Sequence, residues 1–252
     1  MSEKFHVLIP ARLGSTRLPD KPLVDLGGKP MVVRVLERAL DAGAASVHVA
    51  TDSERIADAV GEAGGDVIMT RVDHGSGTDR LVEAVQTLGL DGKEMIVNLQ
   101  GDEPLMPASA IRRLVEVLNS DPQAQMATLF ETIDTTAQWQ DANIVKVVVD
   151  AHRRALYFSR APIPWPRGRE YRSGDALRHV GLYAYRVSAL SAWTDLPLSR
   201  LELLESLEQL RALQAGWVIA CGEAPEPIPA GIDTAEDLER VRRAFFHSAE
   251  IS

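Results

Sequence analysis

Residues 10–23 read PARLGSTRLPDKPL, which packs one glycine (Gly14), two hydroxyls (Ser15, Thr16) and three cations (Arg12, Arg17, Lys21) into one stretch. The stretch directly follows a short apolar run from Phe5 to Pro10. A loop of this kind after a strand stands where an α/β sheet binds phosphates. It matches neither common phosphate fingerprint. Gly28-Lys29 is followed by Pro30 rather than Ser or Thr, and GSGTDR at 75–80 ends in Arg where a third glycine is needed. Taken alone, the stretch reads equally well as a solvated loop with scattered cations.

Two acids gain meaning beside it. VNLQGDEP at 97–104 reads as a strand ending in a turn with Asp102 and Glu103. A carboxylate at the mouth of a sheet can hold Mg²⁺ while a nucleotide phosphate completes the shell. GIDT at 231–234 reads as a short strand that delivers Asp233 to a helix start. Separately, Asp102 is an ordinary turn acid and Asp233 a helix-cap neighbour. Two acids plus cations at one sheet edge form the minimum set for metal-assisted phosphoryl-type transfer. A fourth segment, DHGSGTDR at 73–80, has two glycines that allow close backbone approach to a ligand; its plainer role is a loop into a helix capped by Thr78. A fifth group is Arg160, Arg178-His179, Tyr183 and Glu208-Gln209. Arg160 could pair a substrate carboxylate bidentately, and Glu208 and Gln209 could bond hydroxyls. As strand and helix residues, all could also be structural.

The elements that must position these residues alternate through the first half. Strands are expected at Phe5–Pro10, Ser46–Ala50, Asp66–Thr70 and Glu94–Gln100, with helices at Pro30–Leu40, Ser53–Ala63 and Thr78–Leu88. This alternation implies a mostly parallel sheet with helices on both faces. The middle then changes character. Ile144–Val149 and Ala155–Ser159 read as strands joined by a turn, and Arg178–Val187 alternates as a half-buried strand does. That block is expected to be an antiparallel insert. Arg200–Ala215 reads as one amphipathic helix with Leu201, Leu204, Leu207, Leu210 and Leu213 on a stripe; a strand at Trp217–Cys221 and a helix at Thr234–Phe246 with a Thr234/Asp237 capping box complete the chain.

Composition sets the outer limits. The 252 residues are 45% hydrophobic and 25% charged, ordinary for a globular chain, so disorder and collagen are excluded. The net charge of -9 argues against non-specific nucleic-acid binding. A single cysteine, Cys221, permits neither an internal disulfide nor a thiolate cluster and fits a reducing, cytoplasmic compartment. The apolar run Val7-Leu8-Ile9 is too short for a signal segment, and nothing approaches the roughly 20 apolar residues of a membrane span.

Seven segments in order carry a family resemblance: IPARLGSTRLPDKPL (9–23), MTRVDHGSGTDR (69–80), VNLQGDEP (97–104), ALYFSRAPIPW (155–165), RHVGLYAYR (178–186), LESLEQLR (204–211) and GIDTAEDLERV (231–241). Over nearly its full length the chain resembles the 3-deoxy-manno-octulosonate cytidylyltransferases, or CMP-Kdo synthetases. The resemblance implies a single Rossmann-like domain of the nucleotide-diphospho-sugar transferase type, with a dimerisation insert at about 125–190. It implies a nucleotidyltransferase that joins CTP to the anomeric hydroxyl of the sugar acid Kdo and releases pyrophosphate. The product serves lipopolysaccharide synthesis, with Mg²⁺ as cofactor and a homodimer in the cytoplasm.

Residue by residue, the resemblance implies that Arg12 and Lys21 contact the CTP phosphates. Pro10 and Ala11 form the cytosine pocket, and Ser76, Gly77, Thr78 and Arg80 complete the nucleotide site. Asp102 and Asp233 hold Mg²⁺; with Arg12 and Lys21 they form the catalytic set. Gln100, Arg160, His179, Tyr183, Glu208 and Gln209 bind the sugar acid. Asp79 stands where the family often has Glu. The YFSR and RHxGxY segments favour Kdo over sialic acid or methylerythritol phosphate. An 8-amino form of Kdo, and a non-catalytic nucleotide-sugar sensor, stay open as alternatives.

Overall fold

The computed structural model describes residues 4–14 and 18–249. Strand and helix alternate through the first half as the hydrophobic periodicity requires. β1 (Phe5–Ala11) leads through a 3-10 turn at Lys21–Leu23 into α1 (Met31–Asp41). β2 (Ser46–Thr51), α2 (Glu54–Glu62), β3 (Asp66–Met69), α3 (Gly77–Leu88) and β4 (Met95–Asn98) follow, within a few residues of their expected limits. The sequence reading names no element between 101 and 143, where the structure has α4 (Ala108–Ser120), β5 (Met126–Thr132) and the short α5 (Thr136–Gln140). Next come β6 (Lys146–Val149), β7 (Ala155–Ser159), β8 (Leu177–Arg186) and α6 (Val187–Ser191). The chain continues with α7 (Arg200–Glu205), α8 (Gln209–Gln214), β9 (Ile219–Glu223) and α9 (Ala235–Ala249).

The main sheet runs β3-β2-β1-β4-β8-β5-β9. All its neighbours pair in parallel except β8, which lies antiparallel between β4 and β5. The fold is thus the expected α/β type with a mostly parallel sheet. β8, read as part of an antiparallel insert, runs through the middle of that sheet, and the β6–β7 hairpin pairs with its first residues.

Alternation along each strand divides the core. Phe5, Val7 and Ile9 face α1, α2 and α4 through Val35, Ile56 and Leu114. Leu8 and Ile96 face the other way, toward Leu81 and Val85 of α3 and Leu210 of α8. Asn98, two residues after Ile96, falls on that second face. A separate cluster of Leu26, Met31, Ile232, Leu238 and Val241 docks α9 against the segment after Lys21.

Two expectations are corrected. The helix expected over 200–215 is broken: Ser206 takes a left-handed conformation (φ 53°) and α8 starts afresh. The leucine stripe does not share one core, since Leu207 and Leu210 are buried while Leu204 is 70% exposed. The break lets Arg211 fold back and donate from Nε and Nη2 to both Glu202 oxygens, at 2.8 and 2.6 Å, with its guanidinium over the Trp193 ring. The segment before α9 belongs to no strand; Ile232 N–H donates instead to Asp102 O.

Arg211→Ala removes the partner of a buried carboxylate, which typically costs about 3 kcal/mol. Denaturant unfolding should register a loss of that order, and a loss below about 0.5 kcal/mol would show the pair to be dispensable.

Candidate active site

Three segments meet at the carboxyl edge of the sheet. β1 ends in Pro10-Ala11, β4 ends before Gly101-Asp102, and the segment before α9 brings in Asp233. Glycine makes the approach possible at two points. A Cβ on Gly101 would lie 2.9 Å from Pro10 O, and one on Gly231 would lie 3.2 Å from Asp102 O. The convergence is sealed by Lys21, whose Nζ donates to Asp102 Oδ2 at 2.6 Å and Asp233 Oδ1 at 3.1 Å. The Lys21 side chain is only 13% exposed, so this ion pair is partly withdrawn from water.

A cavity of about 400 Å³ opens beside this triad. Of the expected nucleotide residues, Pro10, Ala11, Arg12, Lys21, Ser76, Gly77 and Arg80 line it, with Gln100, Asp102 and Asp233. Arg17, Ser15 and Thr16 lie outside the described residues. Ser76, not Thr78, caps α3: its Oγ accepts Asp79 N–H and the Asp79 carboxylate accepts Ser76 N–H. The positive end of a helix dipole therefore faces this cavity, as suits an anion. Asp79 supplies the acid of this reciprocal cap. Arg80 is buried and donates to Asp52 Oδ2 at 3.0 Å and to Thr70 Oγ1, bracing the ends of β2 and β3.

Thr78 lines a second cavity of about 720 Å³ instead, which shares Gly77, Gln100 and Asp233 with the first. His179, Tyr183, Glu208 and Gln209, the residues expected at the sugar acid, line it together with Gln100. Thr78 Oγ1 donates to Glu208 Oε2 at 2.9 Å, so a residue expected at the nucleotide holds one expected at the sugar. Arg160 is not among the lining residues. Its Nε donates to Glu205 O at 2.7 Å and its Nη1 to Ala142 O at 3.0 Å. The guanidinium on this cavity is that of Arg178, which also pairs with Glu131 at 3.3 Å. The sequence places Arg178 beside His179 in RHVGLYAYR, but the bidentate role was expected of Arg160; Arg178 also donates from Nη2 to Ile228 O at 3.2 Å.

Burial shifts several of these groups. Desolvation, with the Arg178 charge adding to it, lowers His179 to about 3. Thr128 Oγ1 sits 3.1 Å from His179 Nε2 and within reach of the Val180 and Leu182 carbonyls. With the hydroxyl proton on either carbonyl, Nε2 would carry hydrogen and donate to Thr128, which would leave Nδ1 as an acceptor. Desolvation and the Asp102 charge raise Glu103 to about 8. Desolvation also raises Glu208, against the Thr78 hydrogen bond. Tyr183 is raised by burial, so it is a neutral phenol.

The donor chemistry fits a hard cation. Two carboxylate oxygens already converge on one ammonium, and oxygen ligands suit Mg²⁺. Among the described residues no cluster of three or more His, Cys, Asp or Glu completes a metal cage. Substrate oxygens or water would have to supply the remaining positions.

A cationic loop, a helix N-terminus and paired acids around one cavity, with a polar cavity adjoining it, define a group-transfer site for a phosphate-bearing substrate. A family model described as Cytidylyltransferase matches residues 6–223. The 3-deoxy-manno-octulosonate cytidylyltransferase of Herminiimonas arsenicoxydans is 52% identical over 248 residues, covering 96% of this chain and 98% of that one. Its namesake from Polynucleobacter asymbioticus is 50% identical over 240 residues, covering 95% and 94%. A solved CMP:2-keto-3-deoxy-manno-octonic acid synthetase complexed with CTP has a TM-score of 0.91 at 46% identity, covering 98% of this chain and all of that one. A nucleotidyl transferase from Methanothermobacter thermautotroptrophicus, 16% identical with a TM-score of 0.65, shares the fold. The chain belongs to the cytidylyltransferase family.

The histidine shift has a pH signature. Between its folded value near 3 and its unfolded value near 6.5, His179 takes up a proton only in the unfolded chain. The stability it contributes is full above about pH 6.5 and declines as pH falls toward 3. Unfolding free energies should drop by about 2 kcal/mol from pH 6.5 to pH 5, and His179→Gln should flatten that slope. Parallel profiles for the two proteins would refute the assignment.

Proposed function

We propose that the chain transfers CMP from CTP to the anomeric hydroxyl of 3-deoxy-D-manno-octulosonate, releasing pyrophosphate, and so serves lipopolysaccharide synthesis. The observation that carries this reading is the pair of adjoining cavities, joined through Gly77, Gln100 and Asp233 at the Lys21–Asp102–Asp233 triad. One suits a nucleoside triphosphate and the other a polyhydroxylated acid. The acceptor oxygen bonds to the α-phosphorus as the bond from that phosphorus to the bridging oxygen breaks. Pyrophosphate leaves in line, and the acceptor hydroxyl gives up its proton.

In this reading Pro10 and Ala11 meet the base through backbone groups, and Arg12 and Lys21 neutralise phosphate charge. The α3 N-terminus at Ser76 and Gly77 receives phosphate oxygens, and Arg80 fixes the loops around it. Asp102 and Asp233 would hold Mg²⁺, which when bound offsets the negative charge that keeps the two reactants apart. In the second cavity Arg178 takes the acceptor carboxylate, a role the sequence reading gave to Arg160. Gln100, neutral His179, Tyr183, Glu208 and Gln209 bond hydroxyls. The protein contributes mainly position and charge complementarity.

Intact Arg12, Lys21, Asp102 and Asp233 favour an enzyme over a nucleotide-sugar sensor, which needs no pair of metal acids. The reading includes a homodimer, for which the exposed Leu198, Leu203 and Leu204, close together in the chain, are candidate interface residues. Among the described residues no helix is long and apolar enough to cross a membrane. We place the enzyme in the cytoplasm, where CTP is made.

Pyrophosphate release should require CTP, Mg²⁺ and Kdo together, with 8-amino-Kdo, sialic acid and no sugar as parallel arms. Release with the amino sugar alone would correct the acceptor; none with any sugar, from folded protein that binds CTP, would favour the sensor. Asp102→Asn should lose turnover by about 10³-fold or more while unfolding normally, and near-normal turnover would exclude the metal-holding role. Sedimentation should report a dimer, and a monomer at working concentration would remove that part of the reading.

A further inference from the structure

The second cavity carries two polar groups, Asn98 and Glu103, that the reading above leaves unused, beside Gln209, which it assigns to a hydroxyl. Asn98, at the end of β4, is 3% exposed, yet its Oδ1 has no hydrogen-bond partner. Gln209 is 5% exposed and its Nε2 is unpartnered. Glu103 Oε2 is buried in the same condition. All three side chains line the second cavity and none lines the first. Buried polar atoms are nearly always paired within a folded protein, so three unpaired around one cavity call for an explanation.

The sheet does not provide it. The backbone of Asn98 is in register with Leu8 on one side and Tyr183 on the other, so its place in the ladder needs no side-chain amide. The preceding residues of β4 are Met95, Ile96 and Val97, all buried, and an apolar side chain at 98 would continue that pattern without desolvating an amide. A polar group kept there at a cost to folding points to a ligand that pairs it.

We propose that Asn98, seconded by Glu103, determines specificity for the acceptor: Asn98 Oδ1 accepts a hydrogen bond from one hydroxyl of a polyhydroxylated acid while Gln209 Nε2 donates to another oxygen of the same molecule. The inference rests on the reading of the chain as a sugar-acid cytidylyltransferase. A site built to pair a substrate hydroxyl discriminates strongly against an analogue lacking it, because its own buried group is then left unpaired.

Steady-state kinetics on the full chain, with Kdo and CTP varied separately, test it alongside thermal unfolding of the free enzyme. Asn98→Leu should raise the Kdo KM about tenfold or more, leave the CTP KM within about twofold, and leave Tm equal or higher, because an unpaired amide has gone. Asn98→Ser, which keeps an acceptor oxygen, and Glu103→Gln, which keeps the shape, should fold in any case and raise the Kdo KM by smaller factors. A structural role for Asn98 predicts the opposite pattern, with Tm lowered and both KM values moved together, and would overturn the proposal. Wild-type KM for Kdo in Asn98→Leu and Asn98→Ser would overturn it alone. Wild-type protein that neither binds nor converts any sugar acid would overturn the underlying reading, and this inference with it.

Discussion

The site depends on one ammonium group held between two carboxylates. Asp102 and Asp233 come from segments far apart in sequence, and two acids this close repel each other unless a cation lies between them. Lys21 supplies that cation from a third segment, and its partial burial keeps solvent from screening the attraction. The glycines at 101 and 231 then read as steric permission for the same convergence, since a side chain at either would push a loop off the junction. The α9 cluster with Leu26 and Met31 has the same effect from behind, fixing the loop that carries Lys21 to the helix that follows Asp233.

The antiparallel strand explains why two cavities share one edge. In a wholly parallel sheet only strand ends and their loops reach the carboxyl edge. β8 runs the other way and is ten residues long against the four of β4, so its first half extends past the end of β4. Arg178 and His179 lie on that overhang, and it walls the second cavity. The hairpin of β6 and β7 supports it from outside. Lys146, fully buried, anchors that hairpin by donating to the carbonyls of Asp141, Ile144 and Arg160. Three satisfied carbonyls give a buried ammonium adequate solvation and leave the loop at 143–145, which also lines the cavity, in one conformation.

What could be read from the sequence follows this division. The strands and helices of the first half are local amphipathic patterns, and they emerge nearly in register. Ser53 as a cap and the Thr234/Asp237 box are legible because capping is local chemistry. Where partners are distant, the pattern misleads. The leucine stripe over 200–215 suggests a single helix, and only the Glu202–Arg211 pair and the core around Trp193 reveal the break. Thr78 and Ser76 both stand where a cap could be; the local Ser76/Asp79 box takes that place, and Thr78 donates instead to Glu208, 130 residues away, which no local pattern shows. Arg160 and Arg178 are chemically equivalent until the fold turns Arg160 onto the carbonyls of Glu205 and Ala142 and sets Arg178, itself held by Glu131 and Ile228 O, at the edge of a cavity. Asp102 and Asp233 have ordinary explanations separately, and they gain meaning in the sequence only together with the cationic loop that carries Lys21.

The second cavity raises a final electrostatic problem. It is lined by Glu103, Glu208 and Asp233, with Arg178 the one guanidinium among its described lining residues, yet the proposed occupant is an acid. Three full negative charges would repel it. Burial resolves this, because desolvation penalises whichever form is charged and therefore moves acids up and bases down. Glu103 rises to about 8 and Glu208 rises as well, while His179 falls to about 3. One physical cause thus discharges both kinds of group, and near neutral pH Glu103 and His179 meet the acceptor as hydrogen-bonding groups rather than ions. Arg178, which also pairs with Glu131, is left to attract the carboxylate, while Asp233, 53% exposed, lies ion-paired to Lys21 at the end where the two cavities join.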